Sequence, residues 1–269
     1  MTKTLLALLL AASAARADAP SHVHPADEGA ATPAHQKHPI DPDAPKPAGE
    51  AVTLDVGGGH SLAYVARPKA KPAGAVLVLH EWWGLNDWVK SEADELAKLG
   101  YLALAVDLYD GHVATDPATA TKLMQSVDAA KTGAVAKAGV AWLKKAAPAA
   151  KIATLGWCFG GGQSLRASLA AAPDVAATVM YYGMPDATVA ELKTLRGPLL
   201  GIWANRDGWI TPAVVAKFDA ALTEAGVKHA FHAYDADHAF ANPTGGRYNP
   251  PDAKDAWANT VEFLAANLK

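Results

Sequence analysis

Short, unbroken apolar runs punctuate this chain, and amphipathic stretches separate them. Residues Ala75–His80, Leu102–Asp107, Lys151–Gly156, Val175–Tyr182 and Pro198–Trp203 are each too short for a buried helix. Ala75–His80 lacks the polar alternation of a strand with one wet face. This continuous run predicts a strand buried on both sides, and the other four read as further strands. Helical patterns lie between them at Val89–Leu99, Pro117–Ser126, Thr132–Ala146, Gly160–Ala171 and Pro212–Ala225. A last strand, His229–Tyr234, precedes a last helix, Asp252–Asn267. Strands alternate with helices almost throughout after an opening hairpin, in which Ala51–Val56 and Ser61–Ala66 flank Gly57-Gly58-Gly59. The expected fold is α/β, a mostly parallel central sheet with an N-terminal antiparallel hairpin and helices on both faces. In such sheets ligands bind beyond the carboxyl ends of the strands, so those ends are where chemistry is sought.

The composition leaves few other classes open. At 269 residues with 51% hydrophobic side chains, the chain can bury a core without staples. Its formal charge of −3 argues against nucleic acid as a partner. One cysteine excludes an internal disulfide and any multi-cysteine zinc centre.

Residues 1–17 have the form of a signal peptide. Lys3 gives a positive start, Leu5–Ala12 is apolar, and Ala15-Arg16-Ala17 suits cleavage. No stretch reaches the roughly 20 apolar residues of a membrane span, so no membrane association is expected once the signal is removed. Cleavage would remove Lys3 and Arg16 and no acid, taking the charge to −5. Residues 18–48 hold seven of the 18 prolines and four of the ten histidines, which predicts a disordered linker. His22 and His24 have a spacing that would suit a metal ion, but a solvated spacer explains them as well. The folded domain is placed at residues 49–269 and the protein outside the cytoplasm, in a periplasm.

Gly156-Trp157-Cys158-Phe159-Gly160 lies between a predicted strand and a predicted helix. It has the G-x-nucleophile-x-G form of the elbow found in α/β-hydrolases, with cysteine as the nucleophile. The start of the following helix favours a thiolate there. A lone cysteine is also often a small buried hydrophobe, so the rest of the chain must decide. In that fold an acid and then a histidine follow the nucleophile. Asp207 and His238 each fall just past a strand in that order, with Asp237 as a rival acid beside the histidine. The run His80-Glu81-Trp82-Trp83-Gly84 ends the first buried strand, where the fold supplies its second oxyanion amide. The N–H groups of Trp82 and Phe159 are the candidate oxyanion donors, and Glu81 is a carboxylate at the mouth of the site. Trp83, Tyr109, Trp157, Trp209 and Arg247 are candidate substrate-contacting residues.

Together Gly156-Trp157-Cys158-Phe159-Gly160-Gly161, His80-Glu81-Trp82-Trp83-Gly84-Leu85-Asn86, Asp107-Leu108-Tyr109 and Asp237-His238-Ala239-Phe240 resemble the dienelactone hydrolases. The resemblance runs from about Val52 to Leu268 and rests on several motifs in order. It implies a Cys-His-Asp triad of Cys158, His238 and Asp207, and a glutamate at Glu81 that interacts with the resting cysteine. It also implies no metal or organic cofactor, and a monomer. Members acting on dienelactone bind its carboxylate with two arginines. One belongs where Asn242 stands here, and the other in Tyr109–Ala130, which contains no arginine. Small neutral esters or lactones are therefore the expected substrates, cleaved through a thioester. Carboxymethylenebutenolidase activity proper is the alternative. Two other classes stay open: a redox-sensing thiol, and a non-catalytic binder of apolar ligands among the tryptophans.

Overall fold

A computed structural model describes residues 46–269; the expected signal and all but the last residues of the expected linker lie outside them. The chain builds strands β1 (Glu50–Asp55), β2 (His60–Ala66), β3 (Gly74–Leu79), β4 (Tyr101–Val106), β5 (Ile152–Trp157), β6 (Val175–Tyr181), β7 (Leu199–Ala204) and β8 (His229–Tyr234). The helices are α1 (Asp87–Lys98), α2 (Pro117–Gln125), α3 (Ala129–Ala146), α4 (Phe159–Ala170), α5 (Val189–Leu192), α6 (Pro212–Ala225) and α7 (Pro250–Leu268).

All eight strands form one sheet in the order β1-β2-β4-β3-β5-β6-β7-β8. Strands β1 and β2 are antiparallel to each other and β2 to β4, while every pairing from β4 to β8 is parallel. Strands β3, β4, β5 and β7 are buried along their whole length, as their unbroken apolar runs require. The chain leaves β3 toward β4 on one side and later returns to place β5 on the other. The loops after β3 and β5 therefore border the crevice where strand order reverses.

Two layers cover the sheet. One cluster joins Leu96 of α1 and Ala256 and Leu264 of α7 to Val76, Val78, Trp157 and Tyr181. The other joins Val135, Val140 and Leu143 of α3 and Ala167 of α4 to Leu77, Leu79, Leu104 and Ile152.

Helix starts explain most differences from the expected boundaries. Helix α3 begins three residues before the expected Thr132 because Asp128 caps it, accepting from the Lys131 N–H at 2.7 Å. Helix α7 takes both Pro250 and Pro251 into its first turn, where no N–H is needed, behind the Asn249 cap. The four-residue α5, closed by a Thr188–Glu191 capping box, was not expected because so short a segment has no period to read. Asparagine, aspartate or threonine caps every described helix except α4, whose cap position is Cys158 with no side-chain cap bond.

Candidate active site

Strand β5 passes into α4 through a single left-handed residue: Cys158 has φ 56° and ψ −123°. Its N–H donates to the Tyr181 carbonyl at 3.0 Å, and its carbonyl accepts from Gly161 N–H at 2.9 Å, so both neighbours hold the turn. A non-glycine residue in this region is strained and persists only where its surroundings over-determine it. Glycine is required on both sides of the nucleophile. A Cβ on Gly156 would collide with the Gly160 backbone, and one on Gly160 with the Leu79 and His80 carbonyls. The elbow thus seats the first turn of α4 directly on the end of β3.

Asp207 and His238 come from the loops after β7 and β8. Backbone bonds join these loops, from Asn205 N–H to Tyr234 O at 2.8 Å and Arg206 N–H to Ala236 O at 3.0 Å. Asp207 Oδ1 accepts from the N–H groups of Trp209 (2.8 Å) and Ile210 (3.0 Å), which turns Oδ2 toward His238 Nδ1 at 2.6 Å. Because a carboxylate accepts, Nδ1 carries the hydrogen. His238 Nε2 then faces Cys158 Sγ at 3.1 Å. The rival acid, Asp237, is instead engaged by Arg206, which also pairs with Asp235 at 2.9 Å. Of the two acids the sequence offered, the geometry brings Asp207 to the histidine.

Burial alone would lower the His238 pKa, but charge on the Cys158 sulfur and the hydrogen bond and charge of Asp207 outweigh it and lift it to about 10. For Asp207, burial acts upward, yet the bonds from His238, Ile210 and Trp209 win and hold it below the ordinary carboxylate range. The rings of Tyr182 and Trp209 flank His238 at centroid distances of 5.1 and 5.2 Å. The Arg247 guanidinium lies 5.6 Å from the Trp209 ring.

Glu81 follows β3 and is 1% exposed. Its place differs from the one the resemblance implied. Oε2 accepts from Asn242 Nδ2 at 2.7 Å, while Oε1, buried, has no partner among the described residues. The bond to Asn242 takes the place expected of an interaction with the cysteine, whose sulfur meets His238. Burial raises the Glu81 pKa to about 7, more than Asn242 and His238 lower it.

The aromatic candidates divide. Tyr109 is buried with its ring 5.9 Å from Phe159, and Trp82 is half-buried 4.9 Å from Trp83. Trp83 itself turns into a small cluster with Ala114 and Ala120. Trp157 does not line the site: as the last residue of β5 its ring turns into the core, against Trp88 (5.3 Å) and Tyr181 (5.5 Å). Phe159 opens α4, so its N–H has no acceptor within its own helix.

Reading the sequence did not single out Tyr182. It follows β6, beside β5, and the rule that sent attention to strand ends would have found it. Its hydroxyl is buried and, like that of Tyr109, without a partner among the described residues.

The chain belongs to the dienelactone hydrolase family, whose model matches residues 62–268. It is 32% identical over 230 residues to Protein usf of Aquifex pyrophilus, covering 82% of this chain and 99% of that one. It is 30% identical to a protein of Aquifex aeolicus provisionally named a carboxymethylenebutenolidase, covering 82% of this chain and 100% of the other. Among solved structures, one provisionally titled a dienelactone hydrolase, from Klebsiella pneumoniae, superposes with a TM-score of 0.73 at 27% identity. That match covers 81% of this chain and 99% of the other. The fold is that of the α/β-hydrolases, and the protein is a hydrolase of carboxylic esters or lactones.

Proposed function

We propose that the protein cleaves small neutral esters or lactones through a thioester on Cys158. The observation that carries this reading is the unbroken line from Asp207 Oδ2 through the His238 ring to Cys158 Sγ, 2.6 Å at one end and 3.1 Å at the other. The sulfur attacks the carbonyl carbon, and the N–H groups of Trp82 and Phe159 receive the charge that develops on oxygen. Donors of this kind are worth about 3 kcal/mol each in comparable sites. His238, charged near neutral pH, gives its proton to the departing alkoxide, and the thioester remains. It then takes a proton from water as that water attacks the thioester, and the C–S bond breaks to release the acid and restore the thiolate beside the protonated ring.

Neutral substrates are favoured because Asn242 occupies the position of one expected arginine and spends its amide on Glu81. A carboxylate brought beside half-ionised Glu81 would meet repulsion without a bidentate partner. Of the two arginines that could supply a charge, Arg206 pairs with Asp235 and Asp237, and Arg247 lies over the Trp209 ring. We further read the protein as an exported monomer with residues 18–48 dispensable for turnover; support for this comes from the sequence alone.

Two measurements test the reading. Cys158→Ala should abolish turnover of a small aryl ester, and retained activity would sink the assignment. A neutral lactone and its carboxylate-bearing counterpart should differ in kcat/KM in favour of the neutral one. The opposite order, reversed again in Arg247→Ala, would mean that the site takes anions.

A further inference from the structure

The proposed steps leave unused a titratable side chain that touches both halves of the site. His80 directly follows β3 and has no exposed surface. Its Nδ1 lies 2.6 Å from the Glu81 carbonyl oxygen, and its Nε2 lies 3.0 Å from the Leu108 backbone N. A carbonyl can only accept and an amide can only donate, so the ring is neutral with its hydrogen on Nδ1. Burial acts in the same direction, pulling its pKa below the ordinary histidine value. Asp107 does not compete for the ring. Its Oδ1 stands 3.8 Å from Nε2 and accepts from Tyr109 N–H at 2.9 Å, and its Oδ2 accepts from Gly111 N–H. The imidazole packs edge-on against Tyr109 at 4.6 Å and lies 6.1 Å from the ring of Phe159.

The bond to Glu81 has a geometric consequence. In a trans peptide the C=O and the following N–H share a plane and point opposite ways. Whatever fixes the Glu81 carbonyl fixes the Trp82 N–H. Gly84 N–H also reaches that carbonyl, at 3.1 Å, but it belongs to the same loop and moves with it. His80 ties the carbonyl to the residues after β4, outside that loop.

We propose that His80 is a positioning residue: through its Nδ1–H it anchors the Glu81–Trp82 peptide plane to the end of β4 and so aims the Trp82 N–H at the developing oxyanion. The inference rests on the thioester reading above, because it needs an oxyanion to serve. Since the ring is neutral and buried, it takes no part in proton transfer; it acts through the peptide it holds.

The test separates positioning from packing by comparing two reactions of one sulfur. Acyl transfer needs the oxyanion donors, whereas alkylation by iodoacetamide is a displacement at saturated carbon and does not. In His80→Leu, kcat for an aryl ester should fall about 10- to 100-fold, short of the 10²–10³ seen when a donor is removed outright. KM and the alkylation rate should stay within about threefold. His80→Asn retains an N–H close to the Glu81 carbonyl and should recover most of the loss. His80→Gln carries its amide further out and should not. Parental kcat in His80→Leu, a proportional fall in kcat and alkylation, or Gln rescuing better than Asn would each overturn the proposal. If His80→Leu does not fold, the order of Asn and Gln still decides. Full turnover by Cys158→Ala would remove the reading beneath and the proposal with it, whereas a silent His80 series with an inactive Cys158→Ala would remove the proposal alone.

Discussion

Asn242 and Glu81, 161 residues apart in the chain, meet in a buried hydrogen bond of 2.7 Å. The amide is neutral, so it orients the carboxyl without holding it ionised. The second carboxyl oxygen has no partner among the described residues, and near pH 7 the group stands about half protonated. An arginine at position 242 would have kept it charged. The exchange therefore changes both the charge of the pocket and the pH at which that charge appears.

This has a consequence for stability. The Glu81 pKa is raised from 4.5 to about 7, so between those values the native state keeps a proton that the unfolded chain releases. The contribution of Glu81 is fullest below pH 4.5 and is lost as pH rises through 7. Glu81→Gln, which can still accept from Asn242, should match the parent near pH 4.5 and exceed it at pH 8 by up to about 3 kcal/mol. His238, raised to about 10, also loses stability as pH rises between 6.5 and 10, but it is present in both proteins and cancels in the comparison. Denaturant unfolding at the two pH values measures it; an equal difference at both would refute the buried, half-protonated carboxyl.

Asp207→Asn tests the histidine's orientation. The introduced amide could turn its oxygen or its NH₂ to Nδ1, and the charge that favours a protonated ring is lost either way. The expected fall in kcat is about 10³- to 10⁴-fold for an aryl ester, with the domain still folded by circular dichroism. A loss under tenfold would show that His238 does not depend on this carboxylate.

Much of this arrangement is legible from residue order. The buried runs specify the parallel strands, because only a strand covered on both faces dispenses with polar alternation. Cys158, Asp207 and His238 follow from asking what stands just past each strand. Three features were not legible. The direction of the Trp157 ring depends on which face of β5 it ends on, and an all-apolar strand gives no alternation from which to read that. The partner of Glu81 lies in a distant loop, so nothing local announces it. The role of His80 depends on a carbonyl and an amide, which every residue has and no side-chain pattern reveals.

Gly160→Ala probes the seat of the elbow. The added methyl would press on the carbonyls of Leu79, the last residue of a central strand, and of His80 just after it, backbone atoms that cannot swing aside. The cost should be about 3 kcal/mol or more, visible as a lower denaturation midpoint or loss of soluble protein. Parental stability would mean that α4 stands further from β3 than described.

Beneath the elbow, four hydroxyls bind α4 to the sheet. Ser168 Oγ lies 2.7 Å from both Thr154 Oγ1 and Thr178 Oγ1, and Ser164 Oγ donates to Thr154 Oγ1 at 2.8 Å. All four are buried. Ser168→Ala would strand Thr178 Oγ1, while Thr154 Oγ1 would keep Ser164, and the loss should cost about 1–3 kcal/mol in unfolding experiments. An unchanged stability would show that the network does not hold the helix.

The sheet order also divides the site by how firmly its parts are held. The sulfur and the two candidate amides stand on β3 and β5, strands with a neighbour on each side and no exposed residue. The histidine follows β8, the edge strand of the described sheet, with exposed positions along it. Local opening favours such margins. On warming, the proton carrier is therefore expected to wander before the nucleophile does. The protein would pass through a range in which its thiol is still correctly presented but no longer relieved of its proton: folded at the centre, idle at the rim.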